Sequence, residues 1–151
     1  MVGSDRLADW TARFEGSRRR FEALGAELGD ESANWRPEPG RWSVTECIEH
    51  LNVTALTYFE RLEPALRRGR ERGLLADTFS ERRTLLGQYI LKALRRPALR
   101  LKAPRVFRPA RADLDFGDVC DRFRGAQRTF GELLERASGL DLGRIKLPTP
   151  V

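Results

Sequence analysis

The stretch Trp35-Arg36-Pro37-Glu38-Pro39-Gly40-Arg41-Trp42-Ser43-Val44-Thr45-Glu46-Cys47-Ile48-Glu49-His50-Leu51 passes abruptly from residues that forbid regular structure to residues that begin a helix. Pro37, Pro39 and Gly40 deny the backbone donors and the fixed φ values that a helix or strand needs, so the run Asp30 to Trp42 reads as a loop. Ser43-Val44-Thr45-Glu46 then has the form of a capping box. In that motif a serine oxygen satisfies one free backbone N–H, and a glutamate three residues on reaches back to another. From there Val44, Ile48, Leu51, Ala55, Phe59, Leu62 and Leu66 recur at steps of three or four. The spacing predicts a helix ending near Gly73, with Pro64 the residue inclined to bend it.

Upstream, Leu7, Trp10, Phe14, Phe21, Leu24 and Leu28 fall on one stripe, which predicts a first helix over about Asp5–Leu28 stopped by Gly29. Downstream, Leu85, Leu86, Tyr89, Ile90 and Leu94 predict another from about Glu81 to Arg96, closed by Pro97. Pro97, Pro104 and Pro109 among arginines then predict an extended, irregular crossing, the kind of connection that joins two parallel helices of a bundle. Asp115 is a good N-cap for a last clear helix in which Phe116, Val119, Phe123, Ala126, Phe130, Leu133 and Ala137 repeat, with Gly139 as its stop. Leu140–Val151 holds Pro148 and Pro150 and is too short for a further amphipathic helix. No alternating strand pattern or internal repeat occurs, so residues 1–151 read as one all-α domain.

With 151 residues the chain is long enough for one hydrophobic core. Charges break every apolar run well before the roughly 18 residues a membrane span needs, and Met1–Asp5 lacks the basic and then apolar regions of a secretory signal. The expected compartment is cytoplasmic. Cys47 and Cys120 are too few for a disulfide scaffold, and both fall at helical positions expected to face inward.

The net charge of +6 is unevenly spread. Residues 61–111 hold 15 Lys or Arg against 4 Asp or Glu, leaving −5 for the rest of the chain. The basic and apolar run Gln88–Lys102 has the composition of a segment that lies on an anionic membrane, but Pro97 breaks it and its apolar residues are needed to cover the bundle. No nucleic-acid-binding motif frames the arginines, so nucleic acid is not an expected partner.

His50 is the only histidine. At about 100° per residue it lies on the shoulder of its helix, shared with Cys47, Thr54 and Arg61, from which it can look into a groove between helices. A half-buried histidine bonded to its neighbours is the plain reading of that position.

The stretch Trp35–Leu51 resembles the DinB-like family of four-helix-bundle proteins. The resemblance lies in a Trp-x-Pro turn, a Gly-x-Trp-Ser start and a helix whose second turn ends in His-Leu. The rest of the chain is similar more loosely, with a first amphipathic helix, a long crossing, another long helix and a Leu-Pro-x-Pro-like link. The resemblance implies an up-and-down four-helix bundle with a divalent metal, nickel or zinc, held by three histidines. His50 matches the first of these. The other two stand in the family on a His-x-x-x-His helix that this sequence does not contain, so the expectation is a bundle lacking its last helix. The resemblance further implies a metal-dependent enzyme acting on a small-molecule substrate. The activity so implied is transfer or isomerisation with a low-molecular-weight thiol such as mycothiol or bacillithiol as cosubstrate, or a hydrolase-like one.

Three ligands and an open position are what a catalytic metal needs, and one histidine supplies one of them. Cys47-x-x-His50 with Cys120 is an alternative ligand set, although buried core cysteines are the commoner outcome. Glu46 is committed to the capping box, and Glu49, about 100° round from His50, is expected to be solvated. The contrasting reading is a non-catalytic binding or assembly module that has lost the metal site, with its open apolar face covered by a partner or by a second copy in a homodimer.

Overall fold

The computed structural model describes residues 2–75, 92, 102–110 and 114–148, with side chains from residue 8 onward. Among them the regular structure is helical: α1 (Val2–Glu27), α2 (Asp30–Asn34), α3 (Val44–Glu71), a 3₁₀ turn (Arg105–Phe107) and α4 (Phe116–Ala137). An isolated antiparallel bridge joins Leu75 to Leu140. The helix expected over Glu81–Arg96 lies outside the described residues. No helix among those described is long and apolar enough to cross a membrane.

The caps form as the sequence indicates. Ser43 Oγ accepts from the Glu46 N–H at 3.2 Å, and Glu46 Oε2 accepts from the Ser43 N–H at 2.9 Å. Arg36 adds two further donors to the same carboxylate, Nε at 2.8 Å and Nη2 at 2.9 Å, which ties the proline-rich approach to the first turn of α3. Pro64 lies inside α3, and the chain turns away after Glu71 with Gly73 at φ 62°, a left-handed value that glycine adopts at no steric cost. α4 is capped by Asp115, which accepts from the Asp118 N–H at 2.8 Å.

α3 and α4 run parallel. Going up α3, Asn52 Nδ2 donates to Val119 O at 3.0 Å, Phe59 stacks on Phe130 at 6.3 Å and Glu63 pairs with Arg136 at 2.6 Å, so both helices advance in the same direction. α1 runs against α4 in the opposite sense, with Phe14 on Phe130 at 4.8 Å and Phe21 on Phe123 at 4.6 Å. Two apolar clusters result, one around Ile48, Phe116, Val119 and Cys120, the other around Leu66, Leu133, Ala137 and Leu140.

Three expectations need correction. The run Asp30 to Trp42 is not loop throughout, because its first five residues form α2. Five residues are too few to show a helical period. What holds α2 is tertiary: Ala33 is fully buried, Asn34 Nδ2 donates to Leu114 O at 3.2 Å, and Asp30 Oδ1 accepts from the Phe116 N–H at 3.1 Å. Leu51 belongs less to the core than its place in the stripe implies, being 47% exposed while Asn52 beside it is 2% exposed. The stripe is rotated because a polar asparagine takes the contact with α4 by donating to its backbone. The same rotation turns Cys47 outward, so only Cys120 of the two cysteines is buried.

The segment after α4 returns against the end of α3. Asp141 N–H donates to Leu74 O at 2.9 Å, and a Cβ placed on Gly69 would come within 2.6 Å of Ile145 Cδ1. Gly69→Leu is therefore expected to displace Ile145 and lower stability by about 1–3 kcal/mol in denaturant titrations, as overpacking does. An unchanged midpoint would show that the 140–148 segment does not rest on α3.

Burial by itself raises the Glu46 pKa, but the bonds from Arg36 and from Ser43 outweigh it and hold this carboxyl below its usual value of 4.5. The stability it contributes is therefore complete above the unfolded carboxyl's pKa and is lost as pH falls through the lower folded value. Glu46→Gln is expected to lower stability at neutral pH and to flatten the acid limb of the stability curve, measured as the denaturation midpoint against pH.

Candidate functional site around His50

Because the capping box fixes where α3 begins, it also fixes the direction in which each later side chain leaves the helix. His50 stands two turns in, on the side away from α4. Its carbonyl accepts from Thr54 Oγ1 at 2.7 Å, and one turn further Arg61 Nη1 donates to Thr57 O at 2.7 Å, so the shoulder that carries the ring is braced by its own side chains. Trp42, just before the cap, lies 5.3 Å from the His50 ring at an interplanar angle of 46°.

The decisive contact comes from the crossing. His50 Nδ1 lies 2.6 Å from the carbonyl oxygen of Phe107, the last residue of the 3₁₀ turn. Phe107 is buried, and its ring stacks on Tyr58 at 5.9 Å and 18°, which anchors the turn two helical turns beyond His50. A carbonyl can only accept, so Nδ1 carries the hydrogen and donates it. In the neutral ring Nε2 is then left as the lone-pair nitrogen. Leu51 and Val106, next in sequence to His50 and Phe107, are 47% and 45% exposed.

The other sequence candidates divide. Glu46 faces Arg36 and the cap. Glu49, expected in solvent, has its side chain only 15% exposed: its carboxylate accepts from Arg122 at 2.9 Å and from Asn52 at 3.1 Å, on the α4 side of α3 and away from the His50 ring. A charged residue next to the apolar stripe can be claimed by a neighbouring helix, and no periodicity reveals an arginine arriving from residue 122.

Cys120 sits in the α3–α4 core while Cys47 faces outward, and desolvation raises the pKa of both thiols, with the Glu46 charge adding to the rise at Cys47. The Cys47–His50–Cys120 set is therefore not assembled. Among the described residues no three His, Cys, Asp or Glu side chains are grouped so as to hold a metal ion. Sequence reasoning missed Phe107 and Trp42 as partners of His50. The adjacency of Trp42 to the cap was the one available sign, and nothing in the crossing marked Phe107.

Residues 13–151 are matched by a family model described as the DinB superfamily. The chain belongs to the DinB superfamily. No curated protein and no solved structure matches it. As a DinB-superfamily domain it shows the all-α bundle that the family resemblance implies.

The Phe107 contact gives a spectroscopic expectation. At a pH where imidazoles are neutral, ¹⁵N shifts of the His50 ring should report the Nδ1–H tautomer. Phe107→Ala, which removes the stacking on Tyr58, should shift the population toward Nε2–H and cost about 3 kcal/mol or more of stability. A ring already in the Nε2–H form in the unaltered protein would remove the carbonyl from any role in setting the site.

Proposed function

We propose that this DinB-superfamily domain uses His50 Nε2 as one ligand to a divalent metal ion, nickel or zinc, in an enzyme of the thiol-dependent transferase or isomerase class, or a hydrolase-like one. The observation that carries the reading is the 2.6 Å contact of His50 Nδ1 with Phe107 O. Metal-ligating histidines commonly donate their other ring N–H to a carbonyl or carboxylate, which fixes the tautomer and aims the free nitrogen. Trp42 on one side and the anchored 3₁₀ turn on another restrict how that ring can move.

The three-histidine set that the family resemblance implies does not fit this chain, because His50 is its only histidine and no second ligand stands beside it among the described residues. No reaction step is assigned to a metal on that footing. What the chain's own residues do is hold one donor nitrogen in a defined direction. That no second ligand stands beside His50 among the described residues favours a second reading, a non-catalytic helical binding module.

Metal titration separates the two. Titrated with Ni²⁺ or Zn²⁺, the chain should show a saturable site near one equivalent, and His50→Ala should weaken binding by about tenfold or more, the scale on which loss of metal-site interactions is felt. Assays with a low-molecular-weight thiol then follow. Equal, weak metal uptake by both proteins, with helical content unchanged, would leave the binding module as the function.

A further inference from the structure

The charges around His50 are one-sided. Of the nearby carboxylates on its own helix, Glu46 is engaged by Arg36 and the Ser43 cap, and Glu49 turns to Arg122 and Asn52. Glu38, in the approach to the cap, pairs with Arg41. The crossing that meets the ring is purely cationic: residues 102–108 hold Lys102, Arg105 and Arg108 and no carboxylate. All three are exposed, and none has an ion-pair partner among the described residues. Further along the shoulder that carries His50, Arg61 donates to the Thr57 carbonyl and likewise meets no carboxylate among the described residues.

Arg108 is set apart from the other two cations of the crossing. Phe107 O, 2.6 Å from His50 Nδ1, belongs to the peptide that ends in the Arg108 nitrogen, so across this trans bond Arg108 Cα lies within about 6 Å of the ring nitrogen. Arg108 Nε donates to Ala103 O at 2.8 Å, which braces the guanidinium against the crossing's own backbone. That bond uses the side of the guanidinium and leaves its Nη1–Nη2 end without a protein partner among the described residues. The two N–H groups at that end match the two oxygens of a carboxylate. We infer that Arg108 anchors the anionic end of a small carboxylate-bearing molecule whose other end is held at His50, with Lys102 and Arg105 adding to the positive field that draws it in. The inference rests on the reading of His50 Nε2 as a ligating nitrogen. It adds to that reading the charge of the substrate and the residue that recognises it.

The probes are 3-mercaptopropionate, which joins a metal-seeking thiol to a carboxylate, and its neutral amide. Each is titrated by calorimetry into the Zn²⁺-loaded and the metal-free chain, with circular dichroism confirming that every variant is folded. The acid should bind about tenfold more tightly than the amide, the scale of hydrogen bonds to a charged group, and should move the Arg108 and His50 ring signals in ¹H–¹⁵N spectra. Arg108→Gln should abolish the preference for the acid while leaving the affinities for the amide and for Zn²⁺ unchanged. Arg108→Lys should keep part of the preference, because the charge remains but the fork is lost. Arg72→Gln, at the far end of α3, removes the same charge and should leave the preference intact. Failure of the metal reading shows separately, as absent Zn²⁺ uptake, and the metal-free chain should then still prefer the acid through Arg108. Acid and amide binding alike in both forms, a preference that survives Arg108→Gln, or one that falls equally with Arg72→Gln would each overturn the inference.

Discussion

Two helices that run parallel cannot be joined by a tight turn, because the chain leaves the first at the far end from where the second must begin. α3 spans Val44–Glu71, about 42 Å at the helical rise, and the chain has to cover that distance again before Asp115 can cap α4. The return brings the 3₁₀ turn Arg105–Phe107 alongside α3 near its start, close to where α4 begins. There Phe107 buries its ring on Tyr58 and points its carbonyl at His50. The orientation of the candidate site is thus a consequence of parallel packing: an antiparallel α3–α4 pair would need no such return and would leave the histidine without its carbonyl.

Parallel packing also puts both helix N-termini at one end of the bundle and both C-termini at the other, where aligned dipoles repel. The side chains at each end offset this. Glu46 and Asp118 lie in the first turns, with Ser43 and Asp115 as caps, while Arg68, Arg70 and Arg136 lie in the last. Arg70 Nη2 goes further and donates to the carbonyls of Arg136 and Ser138, at 2.8 and 3.3 Å, closing the end of α4 from the neighbouring helix. Part of the basic excess between residues 61 and 111 therefore serves helix ends rather than an anionic partner. α1 relieves the rest by running antiparallel, with Glu22 paired to Arg124 at 3.0 Å.

The polar residues inside the α3–α4 contact are as instructive as the apolar ones. Asn52 is almost completely buried, and it donates to the α4 backbone where a leucine would only have packed. A buried amide with a backbone partner sets the rotation and register of the pair, since sliding α4 by a residue would leave that donor unsatisfied. Glu49 and Arg122 reinforce the same register from the edge. This is why the buried face of α3 is rotated from the stripe that hydrophobicity alone defines, and why Cys47 and Leu51 look outward beside His50.

The amino-acid sequence by itself determined the local events. The capping boundary at Ser43, the cap at Asp115, the long stripes of α3 and α4 and the family-bearing stretch Trp35–Leu51 were all legible, because capping and periodicity act within a few residues of one another. It also singled out His50 as the one ring with coordinating chemistry. Only the tertiary structure decided what surrounds that ring. The Phe107 carbonyl lies 57 residues away and Arg122, which claims Glu49, lies 73 residues away. Contacts across such distances depend on how helices are paired and rotated, which no local pattern encodes. α2 escaped the sequence reading for the same reason: its five residues are helical because Ala33, Asn34 and Asp30 each find a partner on a neighbouring helix or its approach, and those partners exist only once the bundle has closed.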